Sequence, residues 1–155
     1  MPVSLRRAAA ADIKTLWMMQ VEAFSGLLLK YRDYDTSPGA ESLERVQAKF
    51  DQPGTIYYFI MDGETTVGGV RVVDKRDGSR KRIAPVWIMP EHRRKGYARA
   101  AFARIEEIHG ADSWSLDTIL QEEGNVRLYE QLGYRRTGET RHIKDGMDIV
   151  FFEKD

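Results

Sequence analysis

The segment Ile83-Ala-Pro-Val-Trp-Ile-Met-Pro-Glu-His-Arg-Arg-Lys-Gly-Tyr-Ala98 constrains this chain more than any other. An apolar run stops at Pro90, a basic turn containing Gly96 follows, and a helical pattern starts at Tyr97. Strand, turn and helix in that order gather several backbone N–H groups at the positive end of a helix. Arg93, Arg94 and Lys95 add charge beside them. A ligand carrying phosphates suits such a place. Gly96 has no side chain to hold the ligand off, and the small Ala98 lets the helix start close to it.

The flanking pattern alternates strands and helices. Val3 to Arg7 reads as a strand, and Asp12 as the N-cap of a long helix through Ile13, Leu16, Trp17, Gln20, Val21, Phe24, Leu27 and Leu28. Ser37-Pro38-Gly39 breaks the chain before a second helix over Ser42 to Phe50, which Pro53-Gly54 ends. Thr55 to Met61 and Thr65 to Val73 flank Asp62-Gly63 as a hairpin. After an Asp77-Gly78 turn, Lys81 to Met89 is the next strand. Tyr97 to Ile108 carries an apolar stripe of Ala98, Ala101, Phe102, Ile105 and Ile108. A strand over Ser113 to Leu120, a helix over Asn125 to Leu132 stopped by Gly133, and strands at Glu139 to Ile143 and Met147 to Glu153 complete the chain. The order is β-α-α-β-β-β-α-β-α-β-β. It predicts one domain of α/β (α+β) class, a mixed and mostly antiparallel twisted sheet flanked by helices. The unit from Lys81 to Leu120 is long enough for a right-handed parallel crossover.

Composition excludes several functions. Lys plus Arg and Asp plus Glu both number 24, so the chain lacks the excess cations of a general nucleic-acid coat. There is no Cys, which removes disulfides, thiolate metal sites and cysteine nucleophiles. His92, His109 and His142 lack metal-ligand spacing. No run of some 18 apolar residues could span a membrane, and no signal sequence is evident. A cytoplasmic protein is the expectation.

At Arg93-Arg-Lys-Gly-Tyr-Ala98 the chain resembles the GNAT superfamily of acyl-CoA-dependent N-acyltransferases, whose signature Arg/Gln-x-x-Gly-x-Gly/Ala is filled by Arg93, Gly96 and Ala98. About thirty residues later, Asn125-Val-Arg-Leu-Tyr-Glu-Gln-Leu-Gly-Tyr134 looks like the family's second motif. The specific part of the resemblance runs from Ile83 to Gly138.

The resemblance implies acetyl-CoA as co-substrate, no metal, and a primary amine on a small molecule or protein as acceptor. It implies coenzyme A contacts from Trp87, Ile88, Met89, Arg93, Arg94, Lys95, Gly96, Tyr97, Ala98 and Asn125. The pantetheine arm would pair with the strand at Trp87 to Met89, the Ile88 N–H would polarise the thioester carbonyl, and Tyr129 would serve the departing sulfur. Dimers are frequent in the family, so a homodimer is compatible. No nucleic acid or membrane is implied. The acceptor side is less defined: Tyr31 and Tyr34 with Asp33 and Asp35 form an acidic, aromatic loop, and Glu22, Asp117 or a water chain could replace the strand carboxylate that some members use as base.

Each residue has a plainer reading. Tyr129 could be a core aromatic, Asn125 an N-cap, and Asp117 and Glu22 solvated. Lys75 to Arg82 reads as a solvated hairpin tip, and Trp17, Trp87 and Trp114 as core. Two rival functions follow. One is a catalytically inactive acyl-CoA-binding sensor or interaction module of the same fold. The other, a different nucleotide-binding protein, ranks last, because neither Gly-x-Gly-x-x-Gly after the first strand nor Gly-Lys-Ser/Thr occurs.

Overall fold

The β-branched and aromatic runs become seven strands in this computed structural model, which describes residues 2–155. They are β1 Val3–Arg7, β2 Thr55–Asp62, β3 Thr65–Val73, β4 Lys81–Ile88, β5 Trp114–Ile119, β6 Arg135–Lys144 and β7 Met147–Lys154. One sheet holds them in the order β1-β2-β3-β4-β5-β7-β6. Every pairing is antiparallel except β4 with β5. The helices are α1 Ile13–Ala23, α2 Ser25–Tyr31, α3 Leu43–Asp51, α4 Tyr97–His109 and α5 Glu123–Gln131.

Side chains alternate across the sheet and build two layers. Ile56, Tyr58 and Ile60 of β2 join Phe102 and Ile105 of α4 and Val126 and Tyr129 of α5 in the larger core. Tyr57 and Phe59 face the other way, against Ile13 and Leu16 of α1 and Val46 of α3. Burying a residue such as Phe102 or Ile105 contributes about 1.5–3 kcal/mol.

Two departures from regularity shape the sheet. Strands β4 and β5 pair only at Lys81↔Trp114 and Arg82↔Ser115, then part, while β5 continues alongside β7 as far as Ile119↔Ile149. The β3–β4 register shifts between Val70 and Val72, opposite the segment holding Pro85, which has no N–H to give either neighbour. Beside this, β3 and β4 approach closely at Gly68-Gly69. A Cβ on Gly68 would lie 2.1 Å from the Trp87 carbonyl oxygen, and one on Gly69 would lie 2.2 Å from the Trp87 ring. Only glycine leaves room for β4 there.

Several local expectations change. The long first helix is two. Phe24 closes α1 with its N–H on Gln20 O at 3.1 Å, and Ser25 Oγ donates to Glu22 O at 2.8 Å as α2 starts. Asp12 does not cap α1 with its side chain. Its carboxylate instead accepts from Ala9 N–H at 2.9 Å, bracing a 3-10 turn at Ala10–Asp12. Ile108, expected on the buried stripe of α4, is 51% exposed, because the buried face of the last turn runs from Ile105 to His109, whose ring packs on Tyr58 and Trp114. Trp17 is only half-buried and donates to Glu41 O at 2.8 Å. The penultimate strand begins at Arg135, earlier than its sequence suggests. It is an almost wholly exposed edge, so no apolar alternation marks it.

The basic run after Lys75 is not merely solvated. Arg80 reaches Trp114 O at 3.1 Å and Asp155 at 2.8 Å, and Lys81 reaches Asp112 O at 2.8 Å, fastening the loop to the sheet's end. No helix among the described residues is long and apolar enough to cross a membrane.

Candidate active site

The turn after β4 leaves a row of donors free. His92 N–H bonds to Met89 O at 2.9 Å and Arg93 N–H to Pro90 O at 3.4 Å. The N–H groups of Arg94 through Arg99 make no backbone hydrogen bond among the described residues. Arg94 and Gly96 both take positive φ, 65° and 83°, which curls the chain so that successive N–H groups converge. Gly96 is the N-cap of α4, so the helix dipole points at the same place. Arg94 and Lys95 are exposed. The half-buried Tyr97 anchors the helix start, its hydroxyl donating to Asp62 at 2.5 Å. That bond, above burial, holds its pKa up. This is chemistry that fits a pyrophosphate.

Arg93 points elsewhere. Its Nε donates to Ile88 O at 2.9 Å and its Nη2 to Ala23 O at 2.7 Å. The carbonyl it takes at Ala23 belongs to the last turn of α1, where a cation is favourable. The Arg93 side chain is thus a brace between β4, α1 and the turn.

Register fixes what β4 offers. Met89 N–H bonds to Val67 O at 2.8 Å, which makes Val67↔Met89 a hydrogen-bonded position of the ladder. Antiparallel pairs alternate. Gly68↔Ile88 and Val70↔Val86 are therefore non-hydrogen-bonded pairs, and the N–H groups of Val86 and Ile88 turn away from β3 toward the gap where β5 has left. Trp87 and Met89 alternate to the opposite face and pack in the core with α1, 4% and 5% exposed.

A cavity of about 470 Å³ opens in that gap. Its walls include Ile83 to Val86 of β4, Leu116 to Ile119 of β5, and Asn125 and Tyr129 of α5. Ile88 lies one step further along the same edge. Tyr129 touches both worlds: its ring stacks among Phe102, Tyr134 and Phe152, and it lines the cavity. Burial first, then the charge of Asp117, pushes its pKa to about 12. Asn125 is not the N-cap of α5, a place held by Glu122. It sits in the first turn, exposed, its amide 3.5 Å from Thr118 Oγ1 on β5. Asp117 is engaged by Arg82 at 3.2 Å, across the parting strands.

The other end of the cavity is formed by the loop between α2 and α3. Tyr31 and Tyr34 both line it. Tyr31 donates to Glu122 at 2.5 Å and Lys30 reaches the same carboxylate at 2.7 Å, tying α2 to the start of α5. Burial and then the Glu122 bond raise the Tyr31 pKa. At Glu122, burial acts upward but Lys30 and Tyr31 outweigh it, and the pKa falls. Glu22 is exposed on α1 and is not part of the cavity wall. Arg71, Glu41 and Lys49, which do line the cavity, have no counterpart in the sequence reading. Arg71 alone left a signal there, a charged residue inside the apolar run Val67-Gly-Gly-Val-Arg-Val-Val73.

No group of three or more His, Asp or Glu suited to a metal ion occurs among the described residues. No curated protein matches the chain in sequence. Solved structures do match in fold. A spermidine N-acetyltransferase from Vibrio cholerae, solved with CoA and spermine, is 16% identical over 97% of this chain and 93% of its own, with a TM-score of 0.74. The ribosomal-protein-S18-alanine N-acetyltransferase of Escherichia coli is 12% identical over 97% and 91%, with a TM-score of 0.73. An acetyltransferase from Thermus thermophilus is 14% identical over 98% and 96%, with a TM-score of 0.70. The model of the acetyltransferase (GNAT) family matches residues 21–134, a span holding both the donor-rich turn and Tyr129, and the chain belongs to that family.

Proposed function

We propose that this protein transfers an acetyl group from acetyl-CoA to a primary amine of a small molecule or protein by direct attack. The single observation that carries the reading is the row of N–H groups from Arg94 to Arg99 with no backbone partner among the described residues, together with the free edge of β4 beside the cavity that Tyr129 lines. Bound acetyl-CoA supplies an activated acyl carbon and a thiolate leaving group. The turn amides and Arg94 and Lys95 hold the diphosphate, and Asn125 meets the pantetheine arm. Ile88 N–H donates to the thioester carbonyl oxygen as the amine nitrogen bonds to its carbon and charge builds there.

Tyr129 donates a hydrogen bond to sulfur as the carbon–sulfur bond breaks. Its raised pKa keeps the phenol neutral, and a phenol weaker in acidity than a thiol holds its proton while sharing it. The nitrogen sheds its extra proton to water. Most of the gain is alignment of the two reactants.

A second reading has its own support. Asp117 is paired with Arg82 and Glu41 with Lys49, so neither carboxylate is free to act as base. A domain that holds acyl-CoA without turning it over is consistent with that. Thiol release from acetyl-CoA across a panel of amines separates the two. Release with any amine supports transfer; tight CoA binding with no release from any acceptor supports the binding module. Gly96→Trp serves as the control, since it fills the phosphate approach and should abolish CoA binding.

A further inference from the structure

Arg71 is the unusual group in this cavity. It is 8% exposed, on β3 opposite Tyr57, and faces the layer of α1 and α3. Its Nη1 donates to Ala84 O at 2.9 Å. Its Nε is buried without a partner, and the residue forms no ion pair among the described residues. Burial works against its charge and lowers its pKa, yet a guanidinium stays protonated.

The surroundings do not neutralise it. Glu41 is the acid whose field reaches Arg71, and it is already held by Lys49 at 2.5 Å and Gln20 at 2.9 Å. Glu41, Lys49 and Arg71 together leave one positive charge in excess. The other carboxylates of the wall are Asp33, Asp35 and Asp117. Asp33 accepts from Thr36 Oγ1 and from the N–H groups of Asp35 and Thr36, and Asp117 is paired with Arg82. Asp35 lies in the loop at the rim. Arg45 and Arg141 add two further cations to the wall with no ion-pair partner among the described residues. A buried, unpaired charge is costly and calls for a counter-ion.

We propose that the acceptor is an amine that also bears a carboxylate, as an amino acid does, and that Arg71 receives this carboxylate in the cavity. With Nη1 spent on Ala84 O and Nε enclosed, Nη2 is the donor that Arg71 has left for a carboxylate oxygen at the cavity wall. Phe24, Leu27 and Ile149 give the same cavity apolar walls for the body of the molecule. A polyamine, by contrast, brings only positive charge to a wall already positive. This inference rests on the acetyl-transfer reading for which group is modified, but the binding it predicts is independent of turnover.

The test is thermal stabilisation of the full chain, with CoA present, by amino acids, their α-amides and the matching decarboxylated amines. Carboxylate-bearing amines should raise Tm and their amides should not, and Arg71→Gln should remove the difference while leaving CoA affinity unchanged. In turnover, Arg71→Gln should raise KM for the amino acid by about tenfold or more with a smaller change in kcat, the behaviour of a lost ion-pair contact. If Arg71→Gln does not fold, Arg71→Lys and the carboxylate-to-amide comparison on the unaltered protein decide. Equal stabilisation by acid and amide, or stabilisation by polyamines alone, overturns the proposal. Carboxylate-dependent binding without thiol release would instead sink acetyl transfer and leave the role of Arg71 standing.

Discussion

Arg93 Nε sits 2.9 Å from the carbonyl oxygen of Ile88, so the signature arginine occupies one end of the residue whose other end, the N–H, faces the cleft. A motif residue that looks like a phosphate ligand is here a brace, since its Nη2 also closes α1 at Ala23 O, 2.7 Å away. Arg93→Ala should therefore act through position. Loss of two charge-assisted bonds to backbone costs about 1–2 kcal/mol in this partly exposed setting, which at ~2–4 °C per kcal/mol lowers Tm by several degrees. Calorimetry should show CoA binding weakened roughly tenfold, with Arg93→Lys intermediate because an ammonium cannot span both carbonyls. Unchanged Tm together with lost CoA affinity would mean that the side chain meets the ligand directly.

Gly68→Ala tests the close approach of β3 and β4. The added Cβ would sit 2.1 Å from a backbone oxygen of Trp87, which cannot rotate away. Overpacking of this kind costs about 1–3 kcal/mol or more. A lower Tm is expected, with a loss of activity, because Trp87 and Ile88 must shift together. A Tm equal to that of the unaltered protein would show that the two strands have slack.

Tyr129→Phe removes the hydroxyl proposed to donate to sulfur and keeps the ring packed against Phe102, Tyr134 and Phe152. Among the described residues the hydroxyl makes no hydrogen bond that could be lost. We expect kcat to fall by about 10–100-fold, the worth of one bond to a charged group, with Tm and CoA affinity nearly constant. Full activity in the Phe variant would leave Tyr129 as a core residue only.

A buried chain of polar groups holds the far end of α4. His109 Nδ1 lies 2.8 Å from Asp74 and its Nε2 lies 2.9 Å from the Tyr58 hydroxyl; a proton on Nδ1 satisfies both contacts. At Asp74, burial pushes the pKa up, but the bonds from His109 and Arg76 N–H outweigh it, and the net shift is below the ordinary 3.8. A carboxyl whose folded pKa is depressed stabilises the fold above its unfolded value and stops doing so as pH falls through the folded one. The Tm gap between the unaltered protein and Asp74→Asn, about 1–3 kcal/mol in stability at neutral pH, should be full above pH 4 and shrink on further acidification. A gap that persists unchanged at lower pH would assign the effect to packing.

The strand, turn and helix around Gly96 were legible in the sequence because their signals are local: an apolar run, a proline, a glycine that must take positive φ, then a helical period. The second motif was legible for the same reason, and so were most element boundaries. The break at Phe24 was not, because the apolar spacing of Ile13 to Leu28 continues through it, while Gly39, 15 positions on in the chain, lies close against Phe24. The exposed strand from Arg135 was shortened because neither of its faces is apolar.

By itself the sequence determined the family and the donor-rich turn. Tertiary structure alone decided how their side chains are spent. Arg93 turns to Ile88 and Ala23, Asp117 to Arg82, Glu41 to Lys49, and Arg71 is left unpaired beside them. Such outcomes depend on which strands part and which loops fold over them, and those contacts join positions too distant along the chain for any local pattern to record.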